Sequence, residues 1–400
     1  MALTRGTVAQ IPWSARDPFA HTLVALLDSL DEPGIEVLQD NLAVVHGTGQ
    51  VFVVIRYVEE LQHRLAELVA GLVGQGAAGP RLELALIGGG ADAEQLLTKA
   101  QPGRASMRIF HLPEHDNELA PPVRVLGRGR STLELALNRA RQRMGQPIDA
   151  GQAQSAAEAA HARFVVQARE QQRFSELLSS RKPRATYAIL GLIAATFALQ
   201  LASGSTTSMR RLIDMGALVG PLVAQGEWWR LASSSLLHGG VMHVAFNTYV
   251  LFALGSMLER LLGTARFLVL YVVSGVAAAL GSTLFIGGVS VGASGAIWGL
   301  LGAEAALAFG PSTILPGSVR RSAQRATLIN LGINTVASFI PHVDWAAHFT
   351  GGAAGALLIL TGIFIPQAKA TKSAVWTGVA AVLATLFFGA AIFGVLGALR

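Results

Sequence analysis

Cysteine is absent from all 400 residues. Disulfides, thiolate metal sites and cysteine nucleophiles are excluded at once. Charge is scarce too: Asp, Glu, Lys and Arg make up 14% of the chain, against 52% for hydrophobic residues, and mean hydropathy is +0.47. No HExxH occurs, and His238 and His243, at i, i+5, share no helix face. A zinc site is therefore not expected, and no cofactor is implied. The opening MALTRGTVAQIPW lacks an apolar core of signal-peptide length, so the N-terminus is expected to stay in the cytosol. The net charge of +6 comes largely from basic residues beside apolar runs. There it reads as a topology signal and not as a nucleic-acid surface.

What is present divides in two. Residues 1–150 carry charge and alternate helical with strand patterns, which predicts a small soluble α/β domain. Phe19 to Leu30 and Glu59 to Val73 have helical spacing of apolar residues. Val51 to Val58, Leu82 to Ile87 and Met107 to Leu112 read as strands. The run Leu86-Ile-Gly-Gly-Gly-Ala-Asp-Ala93 faintly resembles a phosphate-cradling turn, but reads better as a tight turn with Asp92 near a helix start. Residues 151–184 are Ala-, Gln-, Glu- and Arg-rich, a polar helical linker ending in Arg181-Lys-Pro-Arg184.

Beyond this linker seven apolar stretches are candidate membrane spans: 186–203, 239–258, 266–286, 294–310, 326–341, 345–365 and 375–397. With the first starting inside, the inner segments hold Arg181, Lys182, Arg184, Arg260, Arg266, Arg320, Arg321, Arg325, Lys369 and Lys372. The outer ones hold only Arg210, Arg211, Arg230 and Arg400. That asymmetry follows the positive-inside rule. Trp228, Trp229 and Trp345 fall at the expected outer boundary. The loop 204–238, apolar but broken by Gly and Pro, is expected to rest in the interface without crossing.

On this topology four polar side chains reach one depth below the outer surface. Ser294 starts the fourth span, His348 lies early in the sixth, and His243 with Asn247 lie early in the second. Polar groups at that depth are costly unless they face one another or water. His243 and Asn247 are i, i+4 and share a face. Gly295, Gly299 and Gly302 on one span, and Gly351 and Gly355 on another, make small-residue faces that let helix backbones approach. A serine at a helix N-terminus also has unpaired N–H groups beside it, suited to a developing oxyanion. Each residue alone has a plainer reading. Ser294 could be a cap, His348 could bond Asp344, the His243–Asn247 pair could be interhelical glue, and Asn330 with Asn334 read as packing.

The residues of 186–370 closely resemble the rhomboid intramembrane serine proteases. The matching elements are Trp229-Arg230, His238, His243-Val-Ala-Phe-Asn247, Gly255, Glu259, Tyr271, Gly275, Gly292-Ala-Ser294-Gly295 and Asp344-Trp-Ala-Ala-His348-Phe-Thr-Gly351-Gly352-Ala-Ala-Gly355. The resemblance implies Ser294 as nucleophile and His348 as general base, with Asn247, His243 and the Ser294 N–H holding the oxyanion. It also implies an interfacial loop around Trp229 and Arg230, and a cytosolic-side polar network at Glu259. Trp298 stands where that family often has a tyrosine stacked on the catalytic histidine. An indole still offers a flat face.

The expected architecture is thus an all-α polytopic membrane domain. A rhomboid-like six-helix core spans 185–370, a seventh helix lies in 371–400, and the soluble α/β domain comes first. The expected activity is hydrolysis of transmembrane or juxtamembrane segments of membrane proteins, in a plasma or inner membrane, with the active site toward the outer face. A catalytically silent client-binding protein and a small transporter are the alternatives. The transporter has no polar path across the lower half of the membrane in its favour.

Overall fold

A computed structural model describes residues 11–397 other than 12, 15, 32, 40–41, 48–49, 57–80, 89–106, 116–117, 120, 127–130, 312–313 and 363–370. The helix expected at Glu59 to Val73, Asp92 with most of its glycine-rich turn, and Lys369 lie outside the described residues. The chain forms two compact units, Met1–Arg169 and Glu170–Arg400.

The first unit is built on a six-stranded mixed sheet. In chain order its strands are β1 (Gly34–Gln39), β2 (Leu42–Gly47), β3 (Gln50–Arg56), β4 (Arg81–Ile87), β5 (Met107–Leu112) and β6 (Val123–Leu126), adjacent in that same order. The pairs β3–β4 and β4–β5 are parallel and the others antiparallel. The apolar run expected at 51–58 forms β3 as far as Arg56, with 57–58 outside the described residues; with 82–87 and 107–112 it supplies the middle strands, which are buried on both faces and read as continuous hydrophobic segments. β1, β2 and β6 were not expected from pattern alone.

One face of the sheet is covered by α1 (Pro18–Ser29), α2 (Thr132–Gln142) and the first part of α3 (Ala150–Ser180). Phe19, Leu23 and Leu26 meet Phe52, Phe110, Leu133 and Leu137 in that core, with Ala157 and Ala160 of α3 buried beside them. Asp17 and Ser131 cap α1 and α2 through their side-chain oxygens.

The second unit is helical. Its main helices are α4 (Arg184–Ser203), α5 (Val241–Leu262), α6 (Thr264–Phe285), α7 (Ser294–Phe309), α8 (Gly317–Ser338), α9 (Trp345–Leu360) and α10 (Thr371–Gly397). Among the described residues, α4, α5, α6 and the Ala374–Gly397 part of α10 are long and apolar enough to cross a membrane. α7 and α9 are apolar but shorter. The chain is an integral membrane protein with a helical membrane region. α8 begins nine residues before the expected fifth span. Arg320, Arg321 and Arg325 occupy its early turns, which leaves a short apolar part.

α5 is interrupted by a π-helical turn at Leu251–Gly255, one turn beyond Asn247. The 204–238 region holds three short helices, Met209–Asp214, Gly220–Ala224 and Arg230–Ser233, and a strand Leu218–Val219. α10 packs on α6, where Phe388 stacks on the buried Tyr271 and Phe387 meets Gly275.

Candidate active site

The segment entering α7 is held from two sides. Val289–Ser290 pairs antiparallel with Leu218–Val219, and the Gly292 N–H donates to the Ser234 carbonyl at 2.9 Å. Gly292 has φ +126°, a backbone that side chains rarely tolerate. A Cβ there would also stand 2.8 Å from His243 Nε2. Two independent reasons therefore demand glycine, and the His243 ring comes close to the serine because of it. Ser294 is the first residue of α7, so its own N–H and the next two have no intrahelical acceptor.

α7 and α9 meet backbone to backbone. A Cβ on Gly351 would overlap the Gly295 carbonyl, one on Gly355 the Gly299 carbonyl, and one on Gly302 the Gly352 carbonyl. The three contacts run along the whole seam. Only glycine on both sides allows this approach.

His348, the fourth residue of α9, is thereby brought to Ser294: His348 Nε2 lies 2.9 Å from Ser294 Oγ. Its other nitrogen, Nδ1, lies 2.7 Å from Ser338 Oγ at the end of α8. Trp298, one turn below the serine, stacks on the imidazole with ring centroids 5.5 Å apart and an interplanar angle of 21°. Phe349 meets the same indole edge-on at 5.4 Å. Asp344 caps α9, its Oδ1 accepting from the Ala347 N–H at 2.9 Å.

His243 Nδ1 accepts from the Gly239 N–H at 3.3 Å, so its proton sits on Nε2, the nitrogen beside Gly292. His238 is fully buried and packs edge-on against His243 with centroids 5.1 Å apart. Its Nδ1 donates to the Leu236 carbonyl at 3.2 Å, and the Gln200 side chain brackets its backbone with bonds of 2.9 and 3.0 Å. Asn247 is buried and turns one amide N–H back to the His243 carbonyl at 3.0 Å. Its second N–H remains for another acceptor.

The other expected residues lie farther off. Arg230 ties the 204–238 loop together, donating to the Ile213 and Ala217 carbonyls at 2.6 and 2.8 Å and pairing with Glu227. Trp229 lies under the Arg230 guanidinium and packs against Phe393 and Gly394 of α10. Glu259 is 1% exposed and accepts from the Ala185 N–H, the Thr186 N–H and hydroxyl, and the Thr264 hydroxyl at 2.8–3.0 Å. It caps the start of α4 from another helix.

One cavity adjoins Ser294 and a second adjoins Trp298. A small one of about 30 Å³ behind Ser294 is lined by Ser234, Ser235, Ser282 and Ser290. It is polar and large enough for a water molecule or two. A larger one of about 270 Å³ opens between α5, α7 and α8, lined by Tyr249, Ile297, Trp298, Glu304, Asn330 and Asn334. The two asparagines thus line a cavity, where packing was the expectation. Ser338 and Gln200 were not anticipated at all. Asn330, Asn334 and Ser338, at i, i+4 and i+8, form a polar stripe on one face of an apolar helix, and that stripe was the available signal. Among the described residues no three His, Asp or Glu side chains gather closely enough to hold a metal ion.

Residues 225–365 match the model of the Rhomboid domain. Over 218 residues, 54% of this chain, it is 34% identical to rhomboid protease GluP of Bacillus subtilis, covering 42% of that protein. RHOMBOID-like protein 5 of Arabidopsis thaliana is 39% identical over 163 residues, covering 40% of this chain and 52% of that one. Rhomboid protease AarA of Providencia stuartii is 30% identical over 226 residues, half of this chain and 79% of that protein. The chain thus spans about half the length of the first two relatives and most of the third. Sequence similarity across most of AarA, and a family model lying over the helices that bring Ser294 to His348, lead to one assignment: this chain belongs to the rhomboid family.

Proposed function

We propose that this chain is an intramembrane serine endopeptidase that cleaves transmembrane or juxtamembrane segments of other membrane proteins. The observation that carries the reading is the 2.9 Å contact between Ser294 Oγ and His348 Nε2, made across two helices that glycine brings together. His348 Nε2 takes the hydroxyl proton as Oγ attacks the scissile carbonyl. The oxyanion that forms is met by the Ser294 N–H at the α7 start, the His243 Nε2–H and the free Asn247 amide N–H. The imidazolium then returns its proton to the leaving amine, and the acyl–serine ester is left. Water from the serine-lined cavity, deprotonated by His348, hydrolyses that ester and frees Ser294.

Trp298 supplies a flat wall that restrains the imidazole, and Asp344 serves α9 as its cap. Trp229 and Arg230 organise the outer loop, and Glu259 anchors α4 to α5. The membrane region is a six-helix core with α10 as a seventh span. The active site lies toward the outer face of a plasma or inner membrane, with the N-terminal domain in the cytosol. Basic residues on the opposite side of the spans support this orientation.

The test is cleavage of a single-span reporter by the wild type and by Ser294→Ala and His348→Ala in the same membranes. Loss of at least about 10⁴-fold is expected for each. Equal product from wild type and Ser294→Ala would end the proposal.

A further inference from the structure

We infer that Ser338 is a positioning residue for His348, and that it makes the C-terminal end of α8 part of the proton-transfer apparatus. The inference rests on the peptidase reading above and extends it to a third helix.

Three consecutive contacts carry it. Ser338 Oγ lies 2.8 Å from the Asn334 carbonyl, 2.7 Å from His348 Nδ1, and His348 Nε2 lies 2.9 Å from Ser294 Oγ. A carbonyl oxygen has no proton to give, so the contact with Asn334 requires the Ser338 hydroxyl hydrogen. A serine hydroxyl has only one. Toward the imidazole Ser338 can therefore only accept, and Nδ1 must carry the ring proton. Neutral imidazole then presents its lone pair at Nε2, facing the Ser294 hydroxyl. The reverse tautomer would place two bare oxygens 2.8 Å apart at Asn334 and aim an N–H at the group to be deprotonated. The hydrogen-bond chain thus selects the tautomer in which His348 is a base.

Among the described residues no carboxylate bonds His348 Nδ1: Asp344, the N-cap of α9, accepts from the Ala347 N–H through Oδ1, and its buried Oδ2 makes no hydrogen bond. Ser338 is fully buried. Its hydroxyl orients the ring without adding a negative charge to stabilise imidazolium, so its effect must be smaller than that of a buried aspartate.

Its place in the fold gives the contact a consequence. Ser294 and His348 are fixed to each other by the α7–α9 glycine seam, but α8 stands outside that seam. Along α8, Ile333 and Val336 are 64% and 72% exposed, and Leu328 and Ile329 are also exposed. That face is left for lipid, while Thr327 and Ser338 are fully buried, and the seating of α8 decides whether Nδ1 has its acceptor.

The experiment compares full-length wild type, Ser338→Ala and Ser338→Thr in two assays. One is reporter cleavage with kcat and KM resolved; the other is the rate of labelling by a fluorophosphonate, which reads Ser294 activation without a peptide substrate. Labelling endpoints count the folded, competent protein. Ser338→Ala is expected to lower kcat and the labelling rate together, by about tenfold, with KM within about twofold of wild type. Ser338→Thr, which keeps a hydroxyl acceptor, should recover most of that loss. Wild-type rates for Ser338→Ala, an effect confined to KM, or a threonine variant no better than alanine would each overturn the inference. Ser294→Ala and His348→Ala run alongside. If they are inactive while Ser338→Ala is unchanged, only the positioning role fails; if they remain active, the peptidase reading itself fails.

Discussion

The two units bury polar groups by different means, and they pack differently too. In the sheet unit Glu83 is fully buried and meets a cation: it pairs with Arg108 and also accepts from the Ser131 hydroxyl at 2.5 Å and the Leu133 N–H at 3.2 Å. In the helical unit Glu259 is equally buried, yet its four donors are two main-chain N–H groups and two hydroxyls. His348 likewise sits between two hydroxyls. The sheet unit fills its core with Phe19, Phe52 and Phe110, whereas the α7–α9 seam is backbone against backbone. A membrane helix that already bonds its own backbone has its free donors at its ends. Buried acceptors therefore go to helix starts and to hydroxyls, and close approach is left to glycine.

The seam should be the more brittle construction. Gly355→Val places a side chain against the Gly299 carbonyl, in space that backbone atoms already fill. The helices must separate, and a misplacement of about 1 Å between nucleophile and base costs on the order of 10²-fold. Reporter cleavage by Gly355→Val should fall at least that far. A same-size change among the phenylalanines, such as Phe110→Leu, should leave cleavage nearly intact. Retained activity in Gly355→Val would show that the seam does not set the Ser294–His348 distance.

The two glutamates give the next largest effect. Glu83→Gln takes the negative charge out of the buried pair with Arg108 and should destabilise the sheet unit by about 3 kcal/mol. Adding Arg108→Met removes the other half of the pair and should recover much of this. Glu259→Gln turns an amide N–H toward donors, with a cost of about 2 kcal/mol to the helical unit. No second side-chain change should rescue it, because two of its partners are main-chain N–H groups. Denaturant titration of the single and double variants checks both statements. Rescue of Glu259→Gln by Thr186→Val would remove the distinction.

The site was more legible in the sequence than its surroundings, for physical reasons. Ser294 and His348 stood out because a polar group in an apolar helix needs a partner, and the glycine spacings announced which faces could meet. The nearest neighbours along one helix, His243 with Asn247 and Ser294 with Trp298, follow from a period of 3.6 residues. Ser338 did not stand out because its value lies in a contact between helices that no spacing specifies. The partners of Trp229, Phe393 and Gly394, were not legible either, because they lie on a helix far along the chain. In the sheet unit, the buried-on-both-faces strands announced themselves as apolar runs. β2 is buried along Leu42–Val45 as they are, yet like β1 it was not expected; Glu36, Gln39 and His46 interrupt the two runs.

The smallest effect concerns His46 on β2, a half-buried titratable ring that meets no counter-ion among the described residues and so breaks the sheet unit's pattern. The imidazole stacks on Phe164 of α3, with centroids 4.8 Å apart at 18°, and its Nε2 is buried without a hydrogen-bond partner. Burial pushes its pKa below the ordinary 6.5. The unfolded chain titrates near 6.5, so below that pH it gains a proton that the folded unit resists. Stability contributed by the neutral ring is therefore full above about pH 6.5 and falls as the pH drops toward the folded value. The slope cannot exceed about 1.4 kcal/mol per pH unit for one group. His46→Phe keeps a ring to stack on Phe164 and has nothing to protonate. Hydrogen exchange at the β2 amides of the full chain, followed from pH 7.5 to 5.5 with α6 amides as internal reference, should show β2 protection weakening in the wild type. Protection should stay nearly level in His46→Phe. Identical slopes in the two proteins would place the acid sensitivity of the sheet unit elsewhere than at His46.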